Sequence, residues 1–191
     1  MKGLKGIYVL LLLLLLVVVG TATSCRTKKE AYTPGTKTTA TTKGDDDHNT
    51  NAKWKALDIN LTRHDNKALY HELKQWLGTP YKYAASEKGR GTDCSGMVME
   101  VYKKVFGIKL ERNSAKIFEK NCREIGRHRL KEADLVFFNN GKSNRITHVG
   151  IYLKDGYFVH ASSSRGVIVS HLTEKYYTTH FQCAGRVTTN N

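Results

Sequence analysis

The sequence predicts an α+β fold, with N-terminal helices packed on an antiparallel sheet, because two hydrophobic patterns follow each other along the chain. Residues 64–77 and 94–106 carry apolar side chains at the three- and four-residue spacing of amphipathic helices. From residue 134 onward, short runs rich in apolar and β-branched residues predict strands. Helices that precede a group of strands are typical of the α+β class.

The start of the chain predicts export. Lys2 and Lys5 precede an apolar run over residues 7–19, and small residues then lead to Cys25. This order is that of a secretory signal peptide, and the apolar run is too short to span a bilayer comfortably. Residues 1–24 are therefore predicted to be a signal peptide.

The residues around Cys25 resemble the lipobox of bacterial lipoproteins, in which the cysteine is acylated. Ala22 stands where that motif usually has leucine, so ordinary cleavage after Ser24 is the alternative. Several acyl chains would hold the protein stably on a membrane face. We expect a cell-envelope protein, periplasmic or surface-exposed, with the outer membrane as the preferred anchor site.

A polar segment separates this anchor from the domain. Residues 26–53 are rich in Thr and Lys, contain Pro34 and an acidic run at 45–47, and hold few large apolar side chains. Such a composition cannot bury enough surface to fold. Residues 25–53 are predicted to be a lipidated cysteine and flexible tether, and residues 54–191 a single domain.

The charge of the chain is strongly basic. It has 31 Lys and Arg against 17 Asp and Glu, a formal net charge of +14, which becomes +12 without residues 1–24. A basic surface favours nucleic acid, an anionic membrane or an acidic polymer such as a cell wall. Export excludes most nucleic-acid roles, so we expect no nucleic-acid partner.

The domain elements follow from their boundaries. The first helix is predicted over residues 64–77, with Asp65 as cap and Gly78 as stop. The second begins at Cys94 and ends before Gly107. A short helix over residues 113–120 and strands over residues 134–138, 148–153, 156–161, 167–170 and 184–187 complete the prediction.

The position of Cys94 at a helix start has a chemical consequence. Unpaired backbone N–H groups and the positive end of the helix dipole stabilise an anion there, which predicts a lowered thiol pKa. The same donors can hold a developing oxyanion.

Two histidines lie in the predicted hairpin of residues 148–161. A two-residue loop at Asp155 and Gly156 would put His148 and His160 on opposite faces of the sheet. A three-residue loop with Gly156 in the left-handed region would pair His160 with Gly150 and place both imidazoles on one face. We predict the three-residue loop.

Five motifs carry a family resemblance. They are GTPYKY at residues 78–83, DCSG at 93–96, ADLVFF at 133–138, HVGIY at 148–152 and FVHAS at 158–162. Together they resemble the NlpC family of papain-like cysteine peptidases, bacterial cell-wall enzymes, over residues 70–187. The resemblance implies the papain-like NlpC fold, with the nucleophilic cysteine at a helix N-terminus.

The resemblance also implies roles for individual residues. Cys94 is the expected nucleophile, His148 the general base and later acid, and His160 the group that orients His148. The Tyr83 hydroxyl is expected to join the Cys94 N–H in the oxyanion hole.

Substrate contacts are expected at the same end of the helix. The resemblance assigns a free amine of the substrate to Asp93, and further contacts to Ser95 and Tyr83. From the residues alone, Asp93 is equally well explained as the helix cap.

The implied function is that of a secreted, lipid-anchored cysteine endopeptidase that hydrolyses peptidoglycan stem peptides. The bond between γ-D-glutamate and the diamino acid is the expected target, and the cross-link between stems is the alternative. A non-catalytic wall-binding module and an acyltransferase or amidase acting on lipid are alternatives of other classes. We expect a monomer with no cofactor and no metal, whose partners are peptidoglycan and a membrane. The other two cysteines of the domain, Cys122 and Cys183, are equally consistent with a disulfide and with two free thiols.

Overall fold

The computed structural model describes residues 43–188, with side chains from residue 48 onward. The predicted signal peptide, the predicted lipidation of Cys25 and the first part of the predicted tether lie outside the described residues. None of the helices in the described part of the chain is both long and apolar enough to cross a membrane.

The predicted helices and strands occur in the predicted order, and the structure adds helices at Lys43–Lys55 and Lys175–His180, a two-stranded ribbon and a strand at Cys122–Ile125. The helices are α1 (Lys43–Lys55), α2 (Lys67–Trp76), α3 (Cys94–Phe106), α4 (Ser114–Lys116) and α5 (Lys175–His180), with a π-turn at Ile117–Asn121 and a 3₁₀ turn at Arg127–Arg129. The strands are β1 (Ser86–Glu87), β2 (Gly91–Thr92), β3 (Cys122–Ile125), β4 (Leu135–Phe138), β5 (His148–Tyr152), β6 (Tyr157–Ser162), β7 (Gly166–His171) and β8 (Phe181–Val187). Strands β1 and β2 form a small ribbon, and the others an antiparallel sheet in the order β3-β8-β4-β5-β6-β7. The α+β prediction is confirmed.

Helix α1 begins inside the segment predicted as tether. Residues 43–53 are helical in the structure, so the domain boundary placed at residue 54 comes too late. Trp54, near the end of the helix, is fully buried, and its Nε1–H donates to the carbonyl oxygen of Tyr70 at 3.1 Å. The two rings also pack edge to face, with centroids 5.2 Å apart. This contact fixes the helix to the domain, which the polar composition of the segment does not reveal.

Helix α2 starts later than predicted, at Lys67, and its cap is a different residue. The side chain of Asn66 accepts a hydrogen bond from the N–H of Leu69 at 3.0 Å. Asp65, the predicted cap, instead accepts from Nζ of Lys154 at 2.9 Å. The Asp65 carboxylate binds Lys154, which lies 89 residues away in the sequence, and the neighbouring Asn66 caps the helix instead.

The hairpin that carries the two histidines has the predicted loop. Ile151 pairs with Val159, and the Leu153 N–H donates to the Tyr157 carbonyl oxygen at 2.8 Å. Three residues, 154–156, thus lie outside the ladder. Gly156 has φ +87°, in the left-handed region as predicted, and Asp155 before it has φ +52°.

The sheet is covered by apolar side chains on both faces. The larger core cluster joins α2 and α3 to the sheet through residues such as Leu69, Leu73, Met97, Val101, Phe137 and Ile151. A second cluster consists of Val136, Phe138, Phe158, Leu172 and Tyr177. Because α3 packs on β5 and β6, the start of α3 and the two histidine-bearing strands lie in one part of the fold.

Strand β3 and the β1–β2 ribbon were not predicted. Strand β3 has the sequence Cys-Arg-Glu-Ile and lies at the edge of the sheet, with Arg123 and Glu124 exposed. Strand β8 also begins at Phe181, three residues before the predicted start. Strands β1, β2 and β3 are short and mostly polar, so their sequences alone give little indication that they pair.

We predict that Gly150→Ala destabilises the domain because the hairpin leaves no room for a side chain at this position. An added Cβ would lie 2.7 Å from Cδ2 of Phe158 and 3.0 Å from the Val159 carbonyl oxygen. We expect the free energy of unfolding, measured by urea denaturation, to fall by about 1–3 kcal/mol. Gly107→Ala is the comparison, because its added Cβ would meet nothing within 4 Å and its only cost is the left-handed backbone conformation. Unchanged stability of Gly150→Ala would contradict this packing.

Candidate active site

Cys94 opens helix α3, as predicted, and its neighbours fix the helix start. Asp93 is the N-cap, with an extended backbone, and its Oδ1 accepts from the Gly96 N–H at 2.8 Å. A Cβ at Gly96 would lie 2.4 Å from the Ala85 carbonyl oxygen, so only glycine lets the segment before the ribbon lie against the helix. Cys94 itself is 8% exposed and lines a cavity.

The pKa of the Cys94 thiol is raised, which corrects the prediction that the helix start lowers it. Burial is the largest cause, and the charge of Asp93 adds to it. Backbone N–H groups of Val149, Ser95 and Cys94 itself act in the opposite direction but do not prevail. The resting residue is therefore a thiol, and a base is needed to make the nucleophile.

His148 and His160 share one face of the sheet, as predicted. Nε2 of His148 lies 2.9 Å from Nδ1 of His160, and the two rings are nearly perpendicular. His148 lines the same cavity as Cys94. Since its Nε2 faces His160, the ring nitrogen left for other chemistry is Nδ1.

Both imidazoles are neutral at pH 7. Burial lowers the pKa of His148 to about 4. Burial also lowers the pKa of His160, and the nearby His148 and Arg165 lower it further. A neutral imidazole can accept a proton, which is the property that a general base requires.

The hydrogen-bond chain continues beyond His160 to two residues that sequence reasoning missed. Nε2 of His160 lies 2.9 Å from the Tyr177 hydroxyl and 3.3 Å from Oγ of Ser170. Ser170 Oγ also donates to the Tyr177 hydroxyl at 3.3 Å. All three side chains are buried. Neither Ser170 in β7 nor Tyr177 in α5 belongs to one of the five motifs, so only the folded sheet reveals them.

The hydrogen bonds of this series must all run in one direction if His148 is to act as a base. Its Nδ1 must be bare, so its Nε2–H donates to Nδ1 of His160. The Nε2–H of His160 then donates to the hydroxyl oxygen of Tyr177 or Ser170, which can accept. The opposite direction would put the proton on Nδ1 of His148 and prevent proton abstraction.

The carboxylate of Asp93 is occupied by the protein's own donors. Arg112 binds it in the bidentate manner, Nη1 to Oδ1 at 2.8 Å and Nη2 to Oδ2 at 2.9 Å. The Ala84 N–H donates to Oδ2 at 2.9 Å, and Arg112 also donates to Oγ of Ser95 at 2.8 Å. Burial works against ionisation, but these hydrogen bonds prevail and hold the pKa of Asp93 below its usual range.

These contacts correct the predicted substrate contacts of Asp93 and Ser95. Both side chains are buried, and neither lines the cavity. Asp93 is the helix cap, the alternative that the sequence left open. Arg112, which was not predicted from the sequence, donates to Asp93 and Ser95 on either side of Cys94.

The prediction for Tyr83 is also wrong. Tyr83 is 83% exposed and does not line the cavity, whereas Tyr81 lines it together with Cys94. Tyr81 bridges to Thr92, two residues before Cys94, while the chain turns at Ala84, which has φ +60°. Burial raises the pKa of Tyr81, and Cys94 contributes to the rise. The GTPYKY motif pointed to the right segment, but the choice between its two tyrosines depends on this turn.

The cavity has a volume of about 460 Å³. Its lining comprises Tyr81, Cys94, Asn139, Thr147, His148, His160, Ala161, Ser162, Ser163, Ser164, Arg165, Glu174, Tyr176 and Tyr177. Among the side chains of residues 48–188, no group of three or more His, Cys, Asp or Glu residues is placed to hold a metal. Cys122 and Cys183 are free thiols, and burial raises the pKa of each to about 12.

Fold and cavity together define a papain-like thiol site, in which a cysteine at a helix N-terminus and a histidine pair on the adjacent sheet line one cavity. The chain belongs to the NlpC/P60 family, whose model matches residues 78–186. This confirms the family and the fold inferred from the motifs.

Individual proteins are similar over the same region. The chain is 41% identical over 112 residues to the "probable endopeptidase NlpC homolog" of Haemophilus influenzae, covering 59% of this chain and 57% of the relative. It is 38% identical over 116 residues to the "murein DD-endopeptidase MepS/murein LD-carboxypeptidase" of Escherichia coli, covering 61% and 60%. The chain thus spans about three fifths of these curated relatives. A solved Staphylococcus aureus protein described as "similar to lipoprotein, NLP/P60 family" superposes with a TM-score of 0.58 at 29% identity, covering 68% of this chain and 43% of the other.

We predict that Arg112→Gln lowers the free energy of unfolding by about 1–3 kcal/mol at pH 7, because the buried Asp93 carboxylate loses its bidentate partner. Since the pKa of Asp93 is depressed in the folded state, the stability it contributes is present above its unfolded pKa near 3.8 and lost as the pH falls through the lower folded value. The difference in the free energy of unfolding between the wild type and Arg112→Gln should therefore become smaller below pH 4. Urea denaturation from pH 7 to pH 2.5 measures it, and a gap that stays constant would contradict the ion pair.

Proposed function

We propose that this protein is a secreted, lipid-anchored cysteine endopeptidase that hydrolyses peptidoglycan peptides. The observation that carries the proposal is that Cys94, His148 and His160 line one cavity, with the two imidazoles in hydrogen-bond contact. The NlpC/P60 family and the murein endopeptidase name of the Escherichia coli relative support the substrate class. The leader and Cys25, which the sequence predicts to be exported and acylated, support the location in the cell envelope.

The first half of the reaction forms an acyl-enzyme. Nδ1 of His148 takes the Cys94 proton, and the thiolate attacks the scissile carbonyl carbon to form a C–S bond. The carbonyl oxygen becomes an oxyanion, for which the backbone N–H of Cys94 and the hydroxyl of Tyr81 are the nearby donors. The C–N bond then breaks, and the His148 imidazolium gives its proton to the leaving amine.

The second half regenerates the thiol. His148, again neutral, removes a proton from water, and the resulting hydroxide attacks the thioester carbonyl. The C–S bond breaks, the acid product leaves, and the proton on His148 returns to Cys94. No oxidant, metal or cofactor takes part in these steps.

The cross-link between stems is the first candidate bond. The family resemblance places the γ-D-glutamyl bond first, with Asp93 binding a free amine, but the Asp93 carboxylate already accepts hydrogen bonds from Arg112 and from backbone N–H groups. A free amine is therefore not recognised at that position. The Escherichia coli relative is named a murein DD-endopeptidase, which favours the cross-link.

We predict that the purified protein converts cross-linked peptidoglycan dimers to monomers and that Cys94→Ala does not. Removal of a nucleophile costs on the order of 10³-fold or more in rate. Mass spectrometry of the fragments measures the change, with Cys183→Ala, a thiol outside the cavity, as the matched control. New fragments ending at γ-D-glutamate would move the proposal to that bond.

Two other results would contradict the endopeptidase. Cleavage by Cys94→Ala at the wild-type rate would remove the thiol from the chemistry. Binding of peptidoglycan without any new fragment, by folded wild-type protein, would indicate the non-catalytic wall-binding module.

We predict that Tyr177 and Ser170 act together as acceptors for the Nε2–H of His160. In the double variant Tyr177→Phe/Ser170→Ala, this buried donor has lost both oxygens, so kcat should fall roughly tenfold to a hundredfold with KM unchanged. Each single variant should lose much less, because the other oxygen still accepts. Steady-state kinetics on a cross-linked peptide measures this non-additivity. If the losses in kcat of the two single variants add up to that of the double variant, or if only KM changes, the two hydroxyls do not both accept the Nε2–H of His160.

A further inference from the structure

The cavity contains one cation that the mechanism does not use. Of the 14 residues that line it, only Arg165 and Glu174 carry a formal charge at neutral pH, because His148 and His160 are neutral. Glu174 already accepts a hydrogen bond from the His171 N–H at 2.6 Å. Arg165 is exposed, and among the side chains of residues 48–188 no carboxylate lies within ion-pair distance of its guanidinium.

The backbone that carries Arg165 is fixed. Arg165 precedes Gly166, the first residue of β7, and a Cβ at Gly166 would lie 2.4 Å from the Thr79 carbonyl oxygen. The Val167 N–H donates to that oxygen at 2.8 Å, and the Gly78 N–H donates to the Val167 carbonyl oxygen at 2.9 Å. The turn is therefore held against the GTPYKY segment, which places the arginine at a defined point of the cavity rim.

Arg165 lies on the histidine side of the cavity. Arg165 lines the cavity together with Tyr177, His160 and His148. Burial raises the pKa of Tyr177, and the positive charge of Arg165 is among the causes that oppose the rise. Tyr177 in turn contacts His160, which contacts His148. The leaving amine must approach His148 to receive its proton, so the leaving part of the substrate extends along this wall, while Tyr81 and the Cys94 N–H hold the oxyanion.

We propose that Arg165 binds the free carboxylate of the diamino acid on the leaving side of the scissile cross-link. This inference rests on the proposed function. In a cross-link whose diamino acid carries a second carboxylate, such as diaminopimelate, the carbon that bears the scissile nitrogen also bears that carboxylate, so an anion lies next to the amine that His148 protonates. A guanidinium fork matches a carboxylate in bidentate geometry and keeps its charge at every relevant pH.

The test uses two cross-linked peptides that differ at one group, with the diamino acid carboxylate either free or amidated. Their affinities are measured by calorimetry on the full chain carrying Cys94→Ala, with and without Arg165→Gln, so that binding is observed without turnover. The rates of hydrolysis are measured in parallel on the same two peptides with Cys94 intact. Arg123→Gln, which removes an exposed arginine from edge strand β3, controls for net charge.

We expect Arg165 to favour the free carboxylate over the amide by about tenfold to a hundredfold in Kd and in kcat/KM. Arg165→Gln should lose this preference while its rate on the amidated peptide stays within a few-fold of the wild type, and Arg165→Lys should keep part of it. Arg123→Gln should keep all of it.

An equal preference in the wild type and Arg165→Gln would overturn the proposal and leave the endopeptidase intact. Absence of hydrolysis of both peptides by the wild type would overturn the proposed function, and the calorimetric ratio would still decide whether Arg165 binds the carboxylate.

Discussion

The hydrogen bond between Nε2 of His148 and Nδ1 of His160 is the contact on which the site depends. It exists because three residues, rather than two, close the hairpin between β5 and β6, which puts both imidazoles on one face. A shift by one residue would send one ring to the other side of the sheet. Gly150, opposite His160 in this register, leaves the space that the pair occupies. The turn chemistry of residues 154–156 thus sets the geometry of the proposed catalysis.

The electrostatics of the site follow from burial more than from the helix dipole. Burial raises the pKa of Cys94 and lowers those of the two histidines, so the resting site holds a thiol and neutral imidazoles. A neutral pair costs less to bury than a thiolate and an imidazolium. The charge is instead kept at the edge of the site, where Arg112 neutralises Asp93 and Arg165 faces the cavity. The proposed mechanism therefore moves a proton only when a substrate carbonyl is present to accept the thiolate.

The sequence predicted what depends on local pattern and on register. Helix α3 with Cys94 at its start, the hairpin loop and the shared face of the two histidines all follow from periodicity, capping and turn residues. Contacts that join distant segments were not predictable in the same way. Tyr81 instead of Tyr83, the Arg112 clamp on Asp93, and the Ser170 and Tyr177 acceptors each depend on tertiary placement. The start of α1 was missed because one buried tryptophan, Trp54, anchors an otherwise polar segment.

The most direct test of the account is the protonation of the two rings, measured by ¹⁵N NMR at pH 7 with assignments from His148→Asn and His160→Asn. We expect two neutral imidazoles, each protonated at Nε2 and bare at Nδ1, so that His148 can accept the Cys94 proton. A His148 ring protonated at Nδ1, alone or as an imidazolium, would contradict it, because the nitrogen assigned to proton abstraction would already be occupied.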